Sequence, residues 1–243
     1  MSEIIWISHR GLHDRHAENS MLAFRAATDA GFTHLETDLR CTLDGRLVLH
    51  HDPHLRRTCG VDARLEDLTL DQVRQARLPD GQHLPLFDEF AERFDRQQWI
   101  LDIKPESGER TLTLLHDWAR RNHALQWLPR KARFLLWRDQ HYPLLYRYFP
   151  GAVTMADRGE CRRAGLSVLC GMSQLGNIRH QRTYSIPPRY MGRNLFRRAI
   201  VKAYQRHGAR VLAFLPEKET DIYRALEGGA QEILINTRPP LPP

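Results

Sequence analysis

The sequence predicts an α/β protein of the (β/α)8 barrel class, in which eight parallel strands alternate with helices. Its 243 residues are enough for one large domain with a real hydrophobic core. Short apolar runs alternate with stretches of helical spacing along the whole chain. There are nine such runs, but an Asp44-Gly45 turn joins the second to the third, and strands joined by so short a turn are antiparallel. Eight runs therefore remain for a parallel sheet.

The nine runs are predicted as strands in the order in which they occur. They lie at 4–8, 34–40, 47–51, 99–104, 133–137, 152–156, 182–186, 211–215 and 232–236. The sixth and seventh carry the weakest signal, because the apolar stretch 166–171 competes with them. Between most of the runs, apolar residues recur three and four positions apart, which is typical of amphipathic helices. We expect one domain over residues 1–243.

The Asp44-Gly45 turn also predicts which side chains meet. With these two residues as the loop, the strand pairing places Asp38 opposite His51. Glu36 lies two residues before Asp38 and therefore projects from the same face of the strand. The hairpin thus predicts a cluster of two carboxylates and one imidazole.

Two further strand ends carry polar residues. His9 and Arg10 close the first run, and Asp102 and Lys104 close the fourth. In (β/α)8 proteins the active site is built at the carboxyl ends of the strands. Carboxylates suit a hard cation such as Mg²⁺ or Ca²⁺, Arg and Lys suit a phosphate, and two histidines suit general acid and base catalysis.

The composition limits the partners. The net charge is +7 and the pI is near 9.5, which is equally compatible with an anionic partner and with a basic surface that binds nothing. We expect no nucleic-acid partner, because no recognised nucleic-acid motif is present. The stretch 194–206 would place Arg197, Arg198, Lys202 and Arg206 on one side of a helix. We favour a solvated face there, with binding to anionic lipid headgroups as the alternative. Since we find neither a signal peptide nor disulfide spacing of the cysteines, we expect a cytoplasmic protein.

The ordered motifs resemble those of the glycerophosphodiester phosphodiesterase family. Each motif alone is weak, but the set at these spacings is specific, and it covers about the first 105 residues. The motifs are "HRG" at 9, "ENS" at 18, "AFRAATDAG" at 23, "ETD" at 36, "TLDG" at 42, "HHDP" at 50, "LEDLTLDQV" at 65, "LPLFDEF" at 84 and "LDIKP" at 101.

This resemblance implies a metal-dependent phosphodiesterase and a role for each matching residue. Asp102 stands where the family usually has Glu, so that its side chain is one methylene shorter. Residues 53–85 correspond to a small inserted subdomain near the barrel mouth that shapes the substrate pocket. The implied roles are catalysis for His9 and His51, phosphate binding for Arg10 and Lys104, metal binding for Glu36, Asp38 and Asp102, and support for Glu18 and Asn19.

The implied reaction is hydrolysis of a glycerophosphodiester to sn-glycerol 3-phosphate and an alcohol, so the expected partner is a small phosphodiester. The C-terminal strands depart from the family pattern, with Phe214 where Trp is expected, which leaves the substrate open. One alternative is a related phosphodiesterase that acts on lysophospholipids at a membrane surface or on another phosphodiester. The other is a non-catalytic protein that binds phosphate esters, although binding alone would not require two histidines.

Overall fold

The computed structural model describes residues 4–240. Its strands are β1 Ile5–His9, β2 His34–Cys41, β3 Leu47–Leu49, β4 Gln98–Ile103, β5 Ala132–Leu135, β6 Val153–Thr154, β7 Thr183–Ile186, β8 Arg189–Tyr190, β9 Arg193–Asn194, β10 Arg210–Phe214 and β11 Glu232–Ile235. Its α-helices are α1 Met21–Asp29, α2 Arg56–Cys59, α3 Leu70–Val73, α4 Phe87–Arg93, α5 Gly108–Arg121, α6 Leu128–Lys131, α7 His141–Tyr148, α8 Arg158–Leu169, α9 Arg198–Gln205 and α10 Glu219–Gly228.

Eight parallel strands with helices between them confirm the predicted (β/α)8 class. The described chain divides into two compact units, one of residues 8–153 and one that combines residues 4–7 with residues 154–240. In the first unit, β2 pairs with β4 and β4 with β5 in parallel, and β3 adds to β2 in the antiparallel sense. In the second, β10 pairs in parallel with both β7 and β11. The competing stretch 166–171 begins inside α8, and the short β8–β9 hairpin was not predicted.

An aromatic cluster fixes the strands of the first unit against their helices. Phe24 of α1 and Trp99 of β4 both contact the ring of Phe90 in α4, with ring centroids 4.9 and 5.4 Å apart. Phe87 contacts Trp118 of α5 in an edge-on arrangement at 4.8 Å. These rings are buried, and large buried aromatic side chains contribute strongly to a core. The cluster therefore holds β4, which carries Asp102 and is followed directly by Lys104.

The register of the β2–β3 hairpin differs from the prediction by one residue. Leu39 pairs with Leu49, and the His50 N–H donates to the Asp38 carbonyl at 3.1 Å. Asp38 therefore lies opposite His50, and the predicted pairing with His51 was wrong. A shift of one residue turns every side chain of a strand to the other face, so the hairpin pairing does not explain how His51 reaches the site.

The cause of this difference is a loop of three residues where two were expected. The Thr42 N–H donates to the Arg46 carbonyl at 2.9 Å, which encloses residues 43–45. Gly45 has φ +82°, the left-handed conformation that closes three-residue hairpins. The Thr42 hydroxyl donates to Asp44 Oδ1 and accepts the Arg46 N–H, so local side-chain bonds stabilise the longer loop.

Residues 53–85 form α2, a 3-10 turn at Leu65–Asp67 and α3. Their apolar side chains are buried together with Val48 of β3; the cluster includes Leu55, Leu65, Val73, Leu78 and Leu84. The segment thus has a small core of its own beside β3. Its role as an inserted subdomain that shapes the substrate pocket stays a prediction.

Among residues 4–240, none of the helices combines the length and the apolar character needed to cross a membrane.

Candidate functional site

Three buried carboxylates lie together on neighbouring strands. The parallel pairing of β2 with β4 places Asp38 directly beside Asp102, and Glu36 lies two residues earlier on the same face as Asp38. All three residues are at most 5% exposed. One oxygen from each lies within 4.8 Å of the others, a grouping that could hold a metal ion. The three predicted metal ligands are thus brought together.

Lys104 is fixed between two of these carboxylates. Its Nζ lies 2.6 Å from Asp38 Oδ1 and 2.6 Å from Asp102 Oδ2. Trp137 Nε1 donates to the other oxygen of Asp102 at 2.6 Å, and the Lys104 ammonium lies 5.7 Å from the Trp137 ring centroid. We did not predict Trp137, although it follows the end of β5 and the strand-end rule points to that position.

The "HRG" turn brings Arg10 to the same carboxylates. Arg10 Nε lies 3.0 Å from Asp38 Oδ2, and the Arg10 N–H donates to the carbonyl and Oε2 of Glu36. Arg10 itself has φ +56°, which is unusual for a residue with a side chain. Gly11 has φ +81°, and a Cβ there would lie 2.6 Å from the Ala23 backbone. The turn can therefore pass α1 only with glycine at this position.

The predicted supporting residues also reach the site. The buried Asn19 side chain donates to Asp38 Oδ2 at 2.7 Å and accepts the Thr37 hydroxyl at 2.9 Å. Glu18 Oε1 accepts from Arg10 Nη1 at 3.4 Å. Burial alone would raise the pKa of Glu18, but its guanidinium neighbours lower it below the ordinary value. Asn19 and Glu18 therefore orient Asp38 and Arg10.

Burial and mutual repulsion dominate the electrostatics of the three carboxylates. Burial raises the pKa of Glu36 well above its ordinary value, and the charges of Asp38 and Asp102 add to that effect. Burial raises the pKa of Asp102 as well, although Lys104 opposes it. For Asp38 the burial effect is outweighed by Lys104 and Arg10, which lower its pKa. Three carboxylates facing two fixed cations leave an excess of negative charge that a further cation would relieve.

The residues present fit a divalent metal ion. Asp38 Oδ1 is buried and, although it forms the ion pair with Lys104, has no aligned hydrogen bond. It therefore keeps lone-pair capacity that a cation could use. The donor set consists of carboxylate oxygens, the ligands that Mg²⁺ and Ca²⁺ prefer.

The two predicted histidines lie at the ends of their strands. His9 closes β1 and places Nε2 3.9 Å from Glu36 Oε2, with the residue 9% exposed. His51 follows β3, and its side chain, 37% exposed, is open to an incoming molecule. His51 is also close enough to contribute to the lowered pKa of Asp38. The acid/base pair predicted from the sequence thus lies with the carboxylates.

Asp52 and Arg57 complete the surroundings of His51 and were not among the predicted site residues. Asp52 Oδ1 lies 2.6 Å from His51 Nδ1, and Asp52 Oδ2 accepts from Arg57 Nε at 2.6 Å. The other end of the Arg57 guanidinium contacts Glu18. Burial would raise the pKa of Asp52, but Arg57 and His51 lower it to about 2, so Asp52 is ionised at neutral pH.

A buried arginine holds the backbone of His51. Arg40 is 1% exposed and donates to the His51 carbonyl from Nε at 3.0 Å and from Nη2 at 2.8 Å. Its Nη1 donates to Glu66 at 3.1 Å and to Glu106 at 3.0 Å. The sequence could have indicated Arg40, because it lies two residues after Asp38 on β2 and alternate residues of a strand project from the same face.

The sequence of this chain matches the family model described as "Glycerophosphoryl diester phosphodiesterase family" over residues 9–237. "Probable glycerophosphodiester phosphodiesterase 2" of Mycobacterium tuberculosis is 35% identical over 105 residues, which are 43% of this chain and 40% of that protein. The chain thus spans less than half the length of this curated relative.

Two solved structures share the fold over nearly the whole chain. One is the glycerophosphoryl diester phosphodiesterase domain of an uncharacterized Mycobacterium tuberculosis protein, with a TM-score of 0.80, 14% identity and 97% of each chain covered. The other is an Oleispira antarctica phosphodiesterase in complex with the product sn-glycerol-3-phosphate, with a TM-score of 0.75, 19% identity and 96% and 93% of the two chains covered. The family match over almost the entire sequence, together with these folds, shows that the chain belongs to the glycerophosphoryl diester phosphodiesterase family.

Proposed function

We propose that this protein hydrolyses glycerophosphodiesters to sn-glycerol 3-phosphate and an alcohol, with the help of a divalent cation. The observation that carries this proposal is the buried cluster of Glu36, Asp38 and Asp102 beside the cationic groups of Arg10 and Lys104. Such a site combines ligands for a metal ion with groups that neutralise a phosphate. The product bound to the Oleispira antarctica neighbour supports the same class of substrate.

The three carboxylates would hold Mg²⁺ or Ca²⁺. A cation bound there would supply positive charge to a phosphate oxygen and make a nearby hydroxyl more acidic. Arg10 and Lys104 would stabilise the negative charge that develops on the phosphate in the transition state. Because Asp38 and its neighbours already hold both cationic side chains, little rearrangement is needed when substrate binds.

The histidines would move the protons. We assign His9 as the base that takes a proton from the attacking hydroxyl, because it lies within the buried part of the site beside Glu36. His51 would protonate the leaving alkoxide, since it is more exposed and is oriented by Asp52. In a second half-reaction the two histidines would exchange these roles.

The attacking hydroxyl would belong to the substrate itself. A glycerol diester carries a hydroxyl on the carbon next to the phosphate-bearing carbon. Its oxygen would form a bond to phosphorus while the bond from phosphorus to the leaving alcohol breaks, which yields a five-membered cyclic phosphate that water then opens. Attack by a tethered group avoids an entropy cost of up to about 7–11 kcal/mol in favourable cases.

Two further proposals concern the segment 53–85 and the cellular compartment. Residues 53–85 would form the inserted subdomain that shapes the pocket for the alcohol, and Arg57 of this segment contacts both Asp52 and Glu18. The second is a cytoplasmic location, which is supported by the four free cysteines.

The test is metal-dependent release of sn-glycerol 3-phosphate by the full chain from a panel of diesters. The panel contains glycerophosphocholine, glycerophosphoethanolamine, glycerophosphoinositol and lysophosphatidylcholine, each with Mg²⁺, with Ca²⁺ and with excess chelator. Turnover of the soluble diesters that stops in chelator supports the proposal. Turnover of the lysolipid alone, with release of lysophosphatidate, supports the lysophospholipid alternative. Cation-dependent binding without any product would make the protein a phosphate-ester binder.

A further inference from the structure

The positive charge of this protein is concentrated in one quarter of the chain. Residues 154–210 contain twelve Lys and Arg but only two acids, a net charge of +10, whereas the other residues contain 24 Lys and Arg and 27 acids. Both acids are engaged locally. Asp157 caps α8 by accepting the Glu160 N–H at 2.8 Å, and Glu160 forms an ion pair with Arg182 at 2.6 Å. The excess positive charge is therefore not neutralised within this segment.

An apolar cavity lies within this basic segment, between α8, α9 and the residues that follow β7. Its volume is about 580 Å³, within the range of sites for small molecules. Arg158 and Arg162 line it from α8, one helical turn apart, and neither forms an ion pair among the described residues. The apolar side chains that line the cavity include Leu166, Leu169, Ile186, Leu195 and Ile200.

The cavity is also lined by a tyrosine hydroxyl group. Tyr204 lines it from α9 and is only 2% exposed, yet among residues 4–240 its hydroxyl has no hydrogen-bond partner. The hydroxyl lies 3.7 Å from the position that a Cβ would take on Gly165, which also lines the cavity. Gly165 follows Arg162 by three residues, about 4.5 Å along the helix. A hydroxyl on the cavity wall without a protein partner can donate to an acceptor atom of a ligand.

We propose that this cavity binds a single-chain lipid with an anionic phosphate head, of the monoacyl glycerophosphate type. Its phosphate would pair with Arg158 and Arg162, its ester carbonyl would accept from the Tyr204 hydroxyl, and its acyl chain would lie along Leu166 and the neighbouring apolar side chains. One class of molecule thereby accounts for the cationic groups, the unpaired donor and the apolar walls. The site is separate in sequence from the carboxylate cluster, whose residues all precede residue 105, and it does not depend on the proposed hydrolysis.

The test is direct binding to the full chain by calorimetry, with two probes below their micelle-forming concentrations. One is a lysophosphatidate, which has the ester, and the other is dodecyl phosphate, which lacks it. Arg162→Gln should weaken both probes at least about tenfold, because a charge-assisted contact is lost. Tyr204→Phe should weaken the lysophosphatidate about fivefold and leave dodecyl phosphate unchanged. Gly165→Leu should abolish binding of both by filling the cavity, and Ile200→Trp serves the same purpose if the first variant does not fold.

The matched control is Arg206→Gln, which removes the same charge from an exposed position on the segment outside the cavity, and it should change neither affinity more than twofold. Unaltered thermal unfolding and circular dichroism would show that each variant keeps its fold. A parallel arm measures sedimentation with phosphatidylcholine vesicles that contain phosphatidate. The proposal is overturned if neither probe binds, if the cavity-filling variants bind as the parent does, or if the protein binds the vesicles but neither monomeric probe.

Discussion

Asp52 Oδ1 lies 2.6 Å from Nδ1 of His51, and this contact leaves Nε2 as the ring nitrogen available for the proposed proton transfer. The carboxylate is itself held by Arg57, so the orientation of the imidazole depends on a guanidinium five residues further along the chain. Arrangements in which a carboxylate orients a catalytic histidine recur in unrelated enzymes.

Asp52→Asn should lower kcat about 100-fold with little change in KM, because the amide keeps the shape but loses the charge that holds His51. Asp52→Glu should restore part of the activity, which loss of structure would not allow. The measurement is steady-state release of sn-glycerol 3-phosphate, with Asp62→Asn, an exposed carboxylate of the same segment, as control. Equal kcat values for Asp52→Asn and the parent would show that His51 needs no orienting group.

Asp38→Asn should weaken binding of Mg²⁺ or Ca²⁺ at least about tenfold, because it removes the negative charge from a buried ligand of the cluster. Calorimetric titration of the metal-free chain measures this directly, again with Asp62→Asn as the control for a lost surface charge. If the variant binds both ions as the parent does, Asp38 lies outside the metal shell.

Asp102→Glu should keep activity within about tenfold of the parent, since it restores the longer ligand that the family usually has. The nearby Trp137 is 43% exposed and can move to admit one methylene, which limits the cost of overpacking. Asp102→Ala should lose activity and cation binding together. Complete inactivation of a folded Asp102→Glu protein would mean that the site is adjusted to the shorter side chain.

A substrate without the hydroxyl next to the phosphate-bearing carbon should react orders of magnitude more slowly while it still competes for the site. The reason is that the cyclic route needs this hydroxyl as the nucleophile. The comparison uses two diesters with the same leaving alcohol, and inhibition constants report binding of the poor substrate. Comparable rates for the two diesters would identify water as the direct nucleophile.

The stability of the fold should fall as the pH decreases from about 6.5 to 4. Burial lowers the pKa of His50 to about 4, and both ring nitrogens are already used, by the Asp52 carbonyl and the Thr58 hydroxyl at 2.7 Å each. In the unfolded chain the pKa of His50 is about 6.5, so the unfolded state binds more protons than the folded state across this window. Lowering the pH therefore stabilises the unfolded state relative to the folded state. The loss is on the order of 3 kcal/mol for a group this deeply buried.

Urea unfolding at pH 7, 6 and 5 measures this dependence. His50→Gln should flatten it, whereas His54→Gln, which changes an exposed histidine four residues away, should not. If the free energy of unfolding changes with pH equally in His50→Gln and in the parent, another group controls stability in this range.

The sequence was sufficient for the strand order and for the cluster of Glu36, Asp38 and Asp102, because both depend on short-range rules. Parallel strands align their carboxyl ends, and residues two apart share a face. The hairpin register was not predictable by the same rules, because the choice between a loop of two residues and one of three depends on the Thr42 side-chain bonds. His51 does lie near Asp38, but the hairpin pairing from which the sequence predicted this was wrong.

Ion pairs between residues far apart in the sequence could not be predicted from the sequence pattern. Arg57 and Glu18 are 39 residues apart, and nothing in the spacing of either residue indicates the other. The same holds for Arg40 and Glu106, which are 66 residues apart. Such contacts are set by how the connecting segments pack, and periodicity along a single element does not encode that packing.

The contacts of Arg57 restrict which residues can be exchanged when this protein is redesigned. Under the proposed function, residues 53–85 are the segment to exchange in order to change the alcohol that would be released. Arg57 within this segment, however, holds Asp52 on one side and Glu18 on the other. A graft that brings a foreign segment without this guanidinium would leave Asp52 and Glu18 without their shared cation, and Asp52 would then orient His51 less firmly. Chimeras should therefore keep Arg57 and vary the segment beyond α2, so that the pocket changes while the contacts that orient His51 stay in place.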